Sequence, residues 1–340
     1  MDFNWVNFAE QLVNGLTVGS FYALIALGYT MVYGVLQMIN FAHGEIFMIG
    51  AYSGLFAMNR LTAAGLYERS PALVIGITFL AGITGAALTG ITVERLAYRP
   101  LRRAARLAPL ISAIGTSIFL QELVRLVPKI SAAVTGIKIG SWQVFPQAFQ
   151  TSVTKVFSDF GGAQVKTYPG ILPTGGFEIG EITVSYSRVI ILAVSLLTMV
   201  GLYLLVRYSR LGKAMRSVAE DKDIAALMGV DVNRVIMMTF LIGSALAGLA
   251  GVLMGLYYLQ IRPVMGFVPG IKAFTAAVLG GIGSIPGAMF GGYLLGLAEA
   301  IGVQFLPAVY KDVVAFSLLV LTLVFKPTGI FTGYSGQKKM

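Results

Sequence analysis

The amino-acid sequence predicts an all-α, polytopic membrane protein with about nine transmembrane helices (eight to ten), and three observations carry this prediction. The 340 residues are 56% hydrophobic and 12% charged, with a mean hydropathy of +0.80. A soluble protein carries about 25% charged residues. Apolar stretches recur along the whole chain, and basic residues are concentrated between a few of them. This balance excludes a soluble fold, and it excludes disorder, which requires few apolar residues.

The predicted membrane spans are stretches of about 20 mainly apolar residues. They lie at roughly 12–35, 45–59, 71–94, 107–127, 188–206, 235–259, 264–283, 286–304 and 311–326. The second is short, and we expect it to extend backwards along the chain. The glycine-rich region 264–304 would look the same if it formed a re-entrant pair, so some helices are expected to be broken or re-entrant. Residues 1–11 contain no Lys or Arg, so they lack the basic part of a secretory signal, and we expect the first span to be retained.

The basic residues indicate how the chain is oriented. Fourteen of the 25 Lys and Arg residues lie in three segments: Arg95, Arg99, Arg102, Arg103 and Arg106; Arg207, Arg210, Lys213, Arg216, Lys222 and Arg234; and Lys326, Lys338 and Lys339. Segments of this kind remain on the cytoplasmic side. Nine spans agree with this, with the N-terminus outside and the C-terminus in the cytoplasm of a bacterial inner membrane. The net charge of +10 therefore reports orientation rather than nucleic-acid binding.

Two connections between spans are long. Residues 128–187 are expected outside, as an extracytoplasmic loop insertion. Alternating stretches at 177–179 and 182–186, with Gly-Gly pairs nearby, favour short strands and turns, and the alternative is an irregular loop with no partner. Residues 208–233 are expected inside and have a charged, helical character.

Catalytic and nucleotide-binding motifs are missing from the sequence. The chain has no Cys and one His, no GxSxG and no GxxxxGK[ST], which argues against an intramembrane enzyme, a His-pair or Cys-ligated metal site, and a P-loop. The glycine-rich stretch 279–287 fails the GxGxxG pattern. We interpret it as a tight turn between two spans, or as a broken helix that lines a path through Gly280, Gly281, Gly283 and Ser284. Glycines four residues apart elsewhere favour close helix packing in one bundle, and dimerisation through one such face is the alternative.

Polar residues within apolar spans are costly and therefore indicate function. The densest group is Asn40, His43, Gly44 and Glu45. One interpretation is a broken helix that lines a path or gate. The alternative is a cytoplasmic turn, with Asn40 as a helix cap and Glu45 in the first turn of the next helix. Two other acidic residues, Glu122 and Glu299, either pair with Arg125 and Lys272 or face a wet cavity.

The inner connection carries an apolar patch at 225–228 after an acidic turn, and Gly229 is placed to end a short helix. Such a helix at the membrane surface suits docking into a groove on a soluble partner. A solvated amphipathic loop is the alternative.

Long stretches of the chain resemble one family, the LivH-type permease subunit of branched-chain amino-acid ABC importers. The matching segments are ALIALGYTMVYG (23–34), MINFAHGE (38–45), ERLAYRPLR (94–102), LISAIG (110–115), AED (219–221) and KAFTAAVLGGIGSIPGA (272–288). The resemblance covers nearly all of the chain, except that 128–187 is longer than expected. It implies that 1–340 is a single transmembrane permease domain.

The resemblance also implies a division of labour. ATP and Mg would be bound by two separate cytoplasmic ATPases, in agreement with the missing P-loop, and this chain would bind no cofactor. Arg216, Ala219, Glu220, Asp221 and Gly229 occupy the place of the family's coupling helix, within the coupling loop 208–233. A second, related permease and an external binding protein that delivers leucine, isoleucine or valine are the other expected partners. Transport would proceed by alternating access, and the alternative is a secondary transporter of small amino acids or amides that works alone.

Overall fold

The fold was described from a computed structural model, which covers residues 5–331 except 103, 106, 140, 141, 144, 174 and 181. Arg103, Arg106, Lys338 and Lys339 of the basic segments lie outside the described residues. The chain is an all-α membrane protein. The helices are α1 (Trp5–Leu36), α2 (His43–Ala63), α3 (Leu66–Arg69), α4 (Pro71–Val93), α5 (Leu107–Thr135), α6 (Gln147–Phe160), α7 (Tyr186–Tyr208), α8 (Arg210–Glu220), α9 (Lys222–Leu227), α10 (Val232–Tyr258), α11 (Phe267–Gly280), α12 (Ile285–Phe305) and α13 (Lys311–Phe325).

Each of the nine predicted spans coincides with a helix. Seven of the described helices, some with their flanking turns, are long and apolar enough to cross a membrane: α1, α4, α5, α7, α10, α12 and α13. The other two predicted spans are α2, which begins before residue 45 as expected, and α11, which has only 14 residues. A helix of that length extends about 21 Å, less than the hydrocarbon core of a bilayer.

The core of the bundle is built on α1, whose residues from Gly15 to Val32 are buried almost without interruption. α12 and α10 pack against α1, and α2 and α4 pack against α10. Close approaches of glycines explain this packing, because a Cβ on Gly50 would lie 2.4 Å from Gly248 Cα and one on Gly296 would lie 2.5 Å from Gly19 Cα. The glycines thus pack helices within one bundle.

Two ends of the bundle can be distinguished. The basic end carries the C-terminus of α1, the α8–α9 segment and the turn between α11 and α12. Two hydrogen bonds connect elements at this end. Lys222 Nζ on α9 donates to Leu36 O at the end of α1 at 3.3 Å, and Arg102 Nη1 donates to Asn233 Oδ1 at the start of α10 at 2.6 Å. The described residues of the basic segments therefore lie at one end, as the sequence predicts.

The opposite end is covered by the long connection. Its strands are β1 (Lys138–Ile139), β2 (Trp142–Gln143), β3 (Lys166–Thr167), β4 (Gly176–Ile179) and β5 (Ile182–Ser185), and β6 (Gln260–Ile261) follows α10. β1 pairs with β2, β4 with β5, and β3 with β6, all antiparallel. The β4–β5 hairpin coincides with the predicted alternating stretches. Two features differ from the expected loop, because α5 continues through Pro128 to Thr135 and because α6 is a 14-residue amphipathic helix.

Candidate functional site

The α8–α9 segment at the basic end is fixed by local capping. Ser209 Oγ accepts from Gly212 N at 3.0 Å and caps α8, and Asp221 Oδ1 accepts from Asp223 N and Ile224 N at 2.9 and 3.0 Å and caps α9. Gly229 follows α9 with φ at +83°, a left-handed conformation that glycine adopts without strain. The predicted helix end at Gly229 is confirmed, and the segment contains two short helices rather than one.

α9 presents an apolar surface at the basic end. Ile224 and Leu227 of α9 and Met228 directly after it are 59, 85 and 79% exposed, although all three are large and apolar. The other side of the segment is anchored, since Ala225 is buried and Lys222 reaches Leu36. Burial, together with the Arg102 guanidinium, lowers the pKa of the Lys222 ammonium. The exposed apolar patch is therefore attached to the end of the bundle through the buried side of the segment.

A cavity of about 820 Å³ lies behind this segment. α1, α7, α8 and the turn before α12 line it, through Thr30, Met31, Gly34, Val35, Tyr203, Val206, Arg207, Tyr208, Met215, Arg216, Ala219, Glu220, Gly283, Ser284, Ile285 and Pro286. Three of the predicted coupling residues thus meet two of the predicted path residues in one place. Asp221 and Gly229 instead cap and end α9.

The glycine-rich stretch forms a tight turn between α11 and α12. Gly281 and Gly283 have φ of +106° and +94°, and Ser284 Oγ accepts from Gly287 N at 3.1 Å to cap α12. The chain after α13 closes this turn from outside, because Phe331 N donates to Gly280 O and Ile330 N to Leu279 O, both at 2.9 Å. Gly283 and Ser284 face the cavity, whereas Gly280 and Gly281 are held against this C-terminal segment.

The group around Asn40 lies inside the bundle. His43 is buried against Gly28, where a Cβ would be 2.2 Å from His43 Nε2. Gly28 precedes the end of α1 by eight residues, so α2 begins roughly 12 Å inside the basic end. Asn40 does not cap α2, because Ala42 occupies the N-cap position. Asn40 Oδ1 instead accepts hydrogen bonds from Ala42 N at 3.1 Å and from Tyr98 OH at 2.9 Å.

A second helix begins at the same depth. A Cβ on Gly44 would lie 2.4 Å from Gly266 O, so the first turn of α2 touches the residue that precedes α11. From this point α11 runs to the basic end, while α2 runs to the opposite end, where Arg60 pairs with Asp159 at 3.0 Å. We call the place where these two helix N-termini meet the α2–α11 junction, defined by Gly44, Glu45, Gly266 and Phe267. The sequence does not predict this juxtaposition.

The buried carboxylates of the bundle differ in their partners. Glu299 pairs with Lys272 at 2.8 Å, Lys272 also reaches Asp312 at 2.6 Å, and Tyr22 OH donates to Glu299 at 3.0 Å. Glu94 forms an ion pair with Arg102. Glu45, which is 1% exposed, has no cation within 4.0 Å among the described residues. Its Oε1 accepts from Ser117 Oγ at 3.5 Å, and its Oε2 has no hydrogen-bond partner.

These contacts answer two questions that the sequence leaves open. Glu299 does pair with Lys272, and Glu122 pairs with Arg125 at 2.6 Å on the exposed side of α5. Ser117 and Gly266 contact Glu45 but carry no signal in the sequence, because a serine in an apolar helix and one glycine among 41 are unremarkable. Among the described residues, no group of three or more His, Asp or Glu side chains is placed to hold a metal ion.

Comparisons with known proteins agree with this architecture. The family described as branched-chain amino acid transport system / permease component matches residues 11–323. The chain is 48% identical to the high-affinity branched-chain amino acid transport system permease protein BraD of Pseudomonas aeruginosa, over 95% of each chain. It is 44% identical to LivH of Escherichia coli K12, over 97% of each chain. LivM of the same organism is 26% identical, over 95% of this chain and 71% of its own length.

The family match spans nearly all of the helices described above, and BraD and LivH align over 95 and 97% of their lengths. A permease component is a membrane transport subunit and is not itself an enzyme. This multi-pass membrane protein belongs to the permease components of branched-chain amino acid transport systems.

Proposed function

We propose that the chain is the membrane-spanning subunit of an ABC importer for leucine, isoleucine and valine, and that ATP hydrolysis on separate subunits drives alternating access. The proposal rests on the names of the relatives and on one structural observation, the exposed apolar patch of α9. Water does not favour three large apolar side chains at the tip of a helix, so a partner that covers them would stabilise the complex.

The orientation follows from the charge distribution. The basic end would lie in the cytoplasm of a bacterial inner membrane, with the N-terminus outside and the C-terminus inside. α9 would then face soluble ATPase subunits. Those subunits would bind ATP and Mg, for which this chain has no sequence motif. The β4–β5 hairpin and α6 would face an external binding protein. A LivM-type permease is the proposed second membrane subunit, because LivM proteins are related to this chain along most of its length.

Alternating access would use the two sites described above. The cavity at the basic end serves as the inner vestibule, and Arg216, Ala219 and Glu220 on α8 connect its wall to the coupling segment. The α2–α11 junction, with Asn40, His43, Gly44 and Glu45, forms the gate deeper in the bundle. When the ATPases close, α9 would move with them, and α8 would transmit this motion to α7 and to the turn at Gly283.

The test is uptake into proteoliposomes that contain the two permeases. We expect leucine uptake only when the ATPases, ATP and the loaded binding protein are all present. A proton gradient without ATP should drive none. Uptake by this chain alone under a proton gradient would identify a secondary transporter and contradict the proposal.

A further inference from the structure

The α2–α11 junction contains a buried carboxylate without a counter-ion. A carboxylate inside a membrane protein is costly unless it is paired. Glu94 and Glu299 follow this rule, with Arg102 and Lys272 as their partners. Glu45 is equally buried, yet its Oε2 has no hydrogen-bond partner and no described cation lies within ion-pair distance. Among these three buried carboxylates, Glu45 therefore differs from the other two in having no positively charged partner.

The Glu45 carboxylate lies close to Gly266, at a position where only glycine fits. A Cβ on Gly266 would lie 2.8 Å from Glu45 Oε2 and 2.3 Å from Gly44 O, so any larger residue at 266 would collide with both. Ser117 of α5 donates a hydrogen bond to Glu45 Oε1 at 3.5 Å. Ile114, Ile118 and Phe119 of α5 are 46, 56 and 62% exposed, so this face of α5 does not pack against the rest of the bundle. A small outward movement of α5 would open the carboxylate.

Charge complementarity identifies the ligand. The N-termini of α2 and α11 meet at this point, and the aligned peptide dipoles of each helix give its N-terminus a partial positive charge. The junction thus offers a negative group, Glu45, beside two positive helix ends. A small zwitterion has the matching arrangement, with an ammonium and a carboxylate on one carbon.

We propose that Glu45 binds the ammonium group of the transported amino acid at the α2–α11 junction, while the helix N-termini receive its carboxylate. This inference rests on the proposed transport function and deepens it. It makes Glu45 a binding residue and Gly266 and Ser117 positioning residues.

The test uses the complex of the two permeases and the ATPases, with two ligands, L-leucine and 4-methylpentanoate, of which only leucine carries an ammonium group. The binding protein is added for the uptake measurements. In the wild type without binding protein, we expect leucine to bind at least about tenfold more tightly than 4-methylpentanoate, as measured by saturation-transfer NMR. Glu45→Gln should abolish this preference and lower leucine uptake at least about tenfold, while ATP hydrolysis continues. The matched control is Glu122→Gln on α5, which removes an exposed carboxylate and should change neither quantity.

Three results would overturn the inference: equal binding of both ligands by the wild type, a preserved leucine preference in Glu45→Gln, or unchanged uptake by that variant. If Glu45→Gln does not fold, the comparison of ligands on the wild type still decides. Gly266→Ala provides a further check, since its methyl group should weaken leucine binding without removing a charge. If the wild-type complex takes up no branched-chain amino acid at all, the proposed function fails instead, so the two failures are distinguishable.

Discussion

Lys272 occupies an unusual position for a lysine, since it is 5% exposed and lies between two carboxylates, those of Glu299 and Asp312. Removing one partner of a buried ion pair leaves an uncompensated charge, which costs about 3–5 kcal/mol. We therefore expect Lys272→Met to lower the free energy of unfolding by about 3 kcal/mol, as measured by SDS denaturation.

The control for this prediction is Lys311→Met, because Lys311 is 29% exposed and lies 3.7 Å from Glu299. It should cost less than about 1 kcal/mol. Replacing both members, as Lys272→Met with Glu299→Leu, should recover much of the lost stability. If Lys272→Met and Lys311→Met lower the free energy of unfolding equally, the buried Lys272–Glu299 pair does not contribute more to stability than the more exposed Lys311–Glu299 pair.

Gly280 shows how little room the α11–α12 hairpin leaves. A Cβ at this position would lie 1.8 Å from Gly287 O, so α11 and α12 would have to separate. We expect Gly280→Ala to destabilise the protein by about 1–3 kcal/mol. Gly115→Ala is the matched control, because a Cβ there meets nothing within 4 Å, and it should be neutral or stabilising. Thermal unfolding in detergent measures both, and similar melting temperatures for the two variants would contradict the packing account.

At the scale of elements, α9 depends on its cap. Asp221 accepts two backbone N–H groups, and removal of such a cap costs about 1 kcal/mol. In Asp221→Ala the amides of residues 223–227 should therefore exchange hydrogen about fivefold faster. Asp221→Asn keeps an acceptor and should exchange like the wild type. Hydrogen-exchange mass spectrometry of this segment distinguishes the variants, and equal exchange in all three proteins would mean that the cap does not hold α9.

The long apolar helices are the elements that the sequence predicts best, because each is a continuous stretch of about 20 apolar residues. The β4–β5 hairpin was predictable for a similar reason, since its period-two alternation is local. α6 was missed because its amphipathic pattern lies within a connection of mixed composition. The depth at which α2 and α11 begin was also missed, because it depends on contacts such as Gly44 with Gly266 that are distant in sequence.

For the candidate sites too, some features that depend on local sequence were predicted, and features that depend on contacts between distant residues were not. The helix end at Gly229 was predicted from a local rule, and the structure contains it. Asp221 was predicted only as a coupling residue, and its role as the cap of α9 was missed. The position of Glu45 among polar residues was visible in the sequence, but its lack of a counter-ion was not. Whether a buried carboxylate is paired depends on helices that are far apart in the chain, as the pairing of Glu299 on α12 with Lys272 on α11 and Tyr22 on α1 illustrates.

For the whole molecule, the account places energy input and substrate passage at different depths. α9 is exposed at the basic end, the cavity lies behind α8, and the α2–α11 junction lies deeper in the bundle. α8 lies between α9 and the cavity, because it directly precedes α9 and because its residues Arg216, Ala219 and Glu220 line the cavity. The central claim is that a partner moves the molecule through α9.

The measurement that tests this claim most directly is the amount of leucine taken up per ATP hydrolysed by complexes that carry Leu227→Asp. Leu227 is 85% exposed, so a charge there should leave the permease folded but disrupt an apolar contact with the ATPases. Val309→Asp is the matched control, since Val309 is 87% exposed at the opposite end. We predict that Leu227→Asp lowers the ratio at least about tenfold or releases the ATPases, while Val309→Asp leaves it unchanged. An unchanged ratio in Leu227→Asp, with the ATPases still bound, would contradict the account.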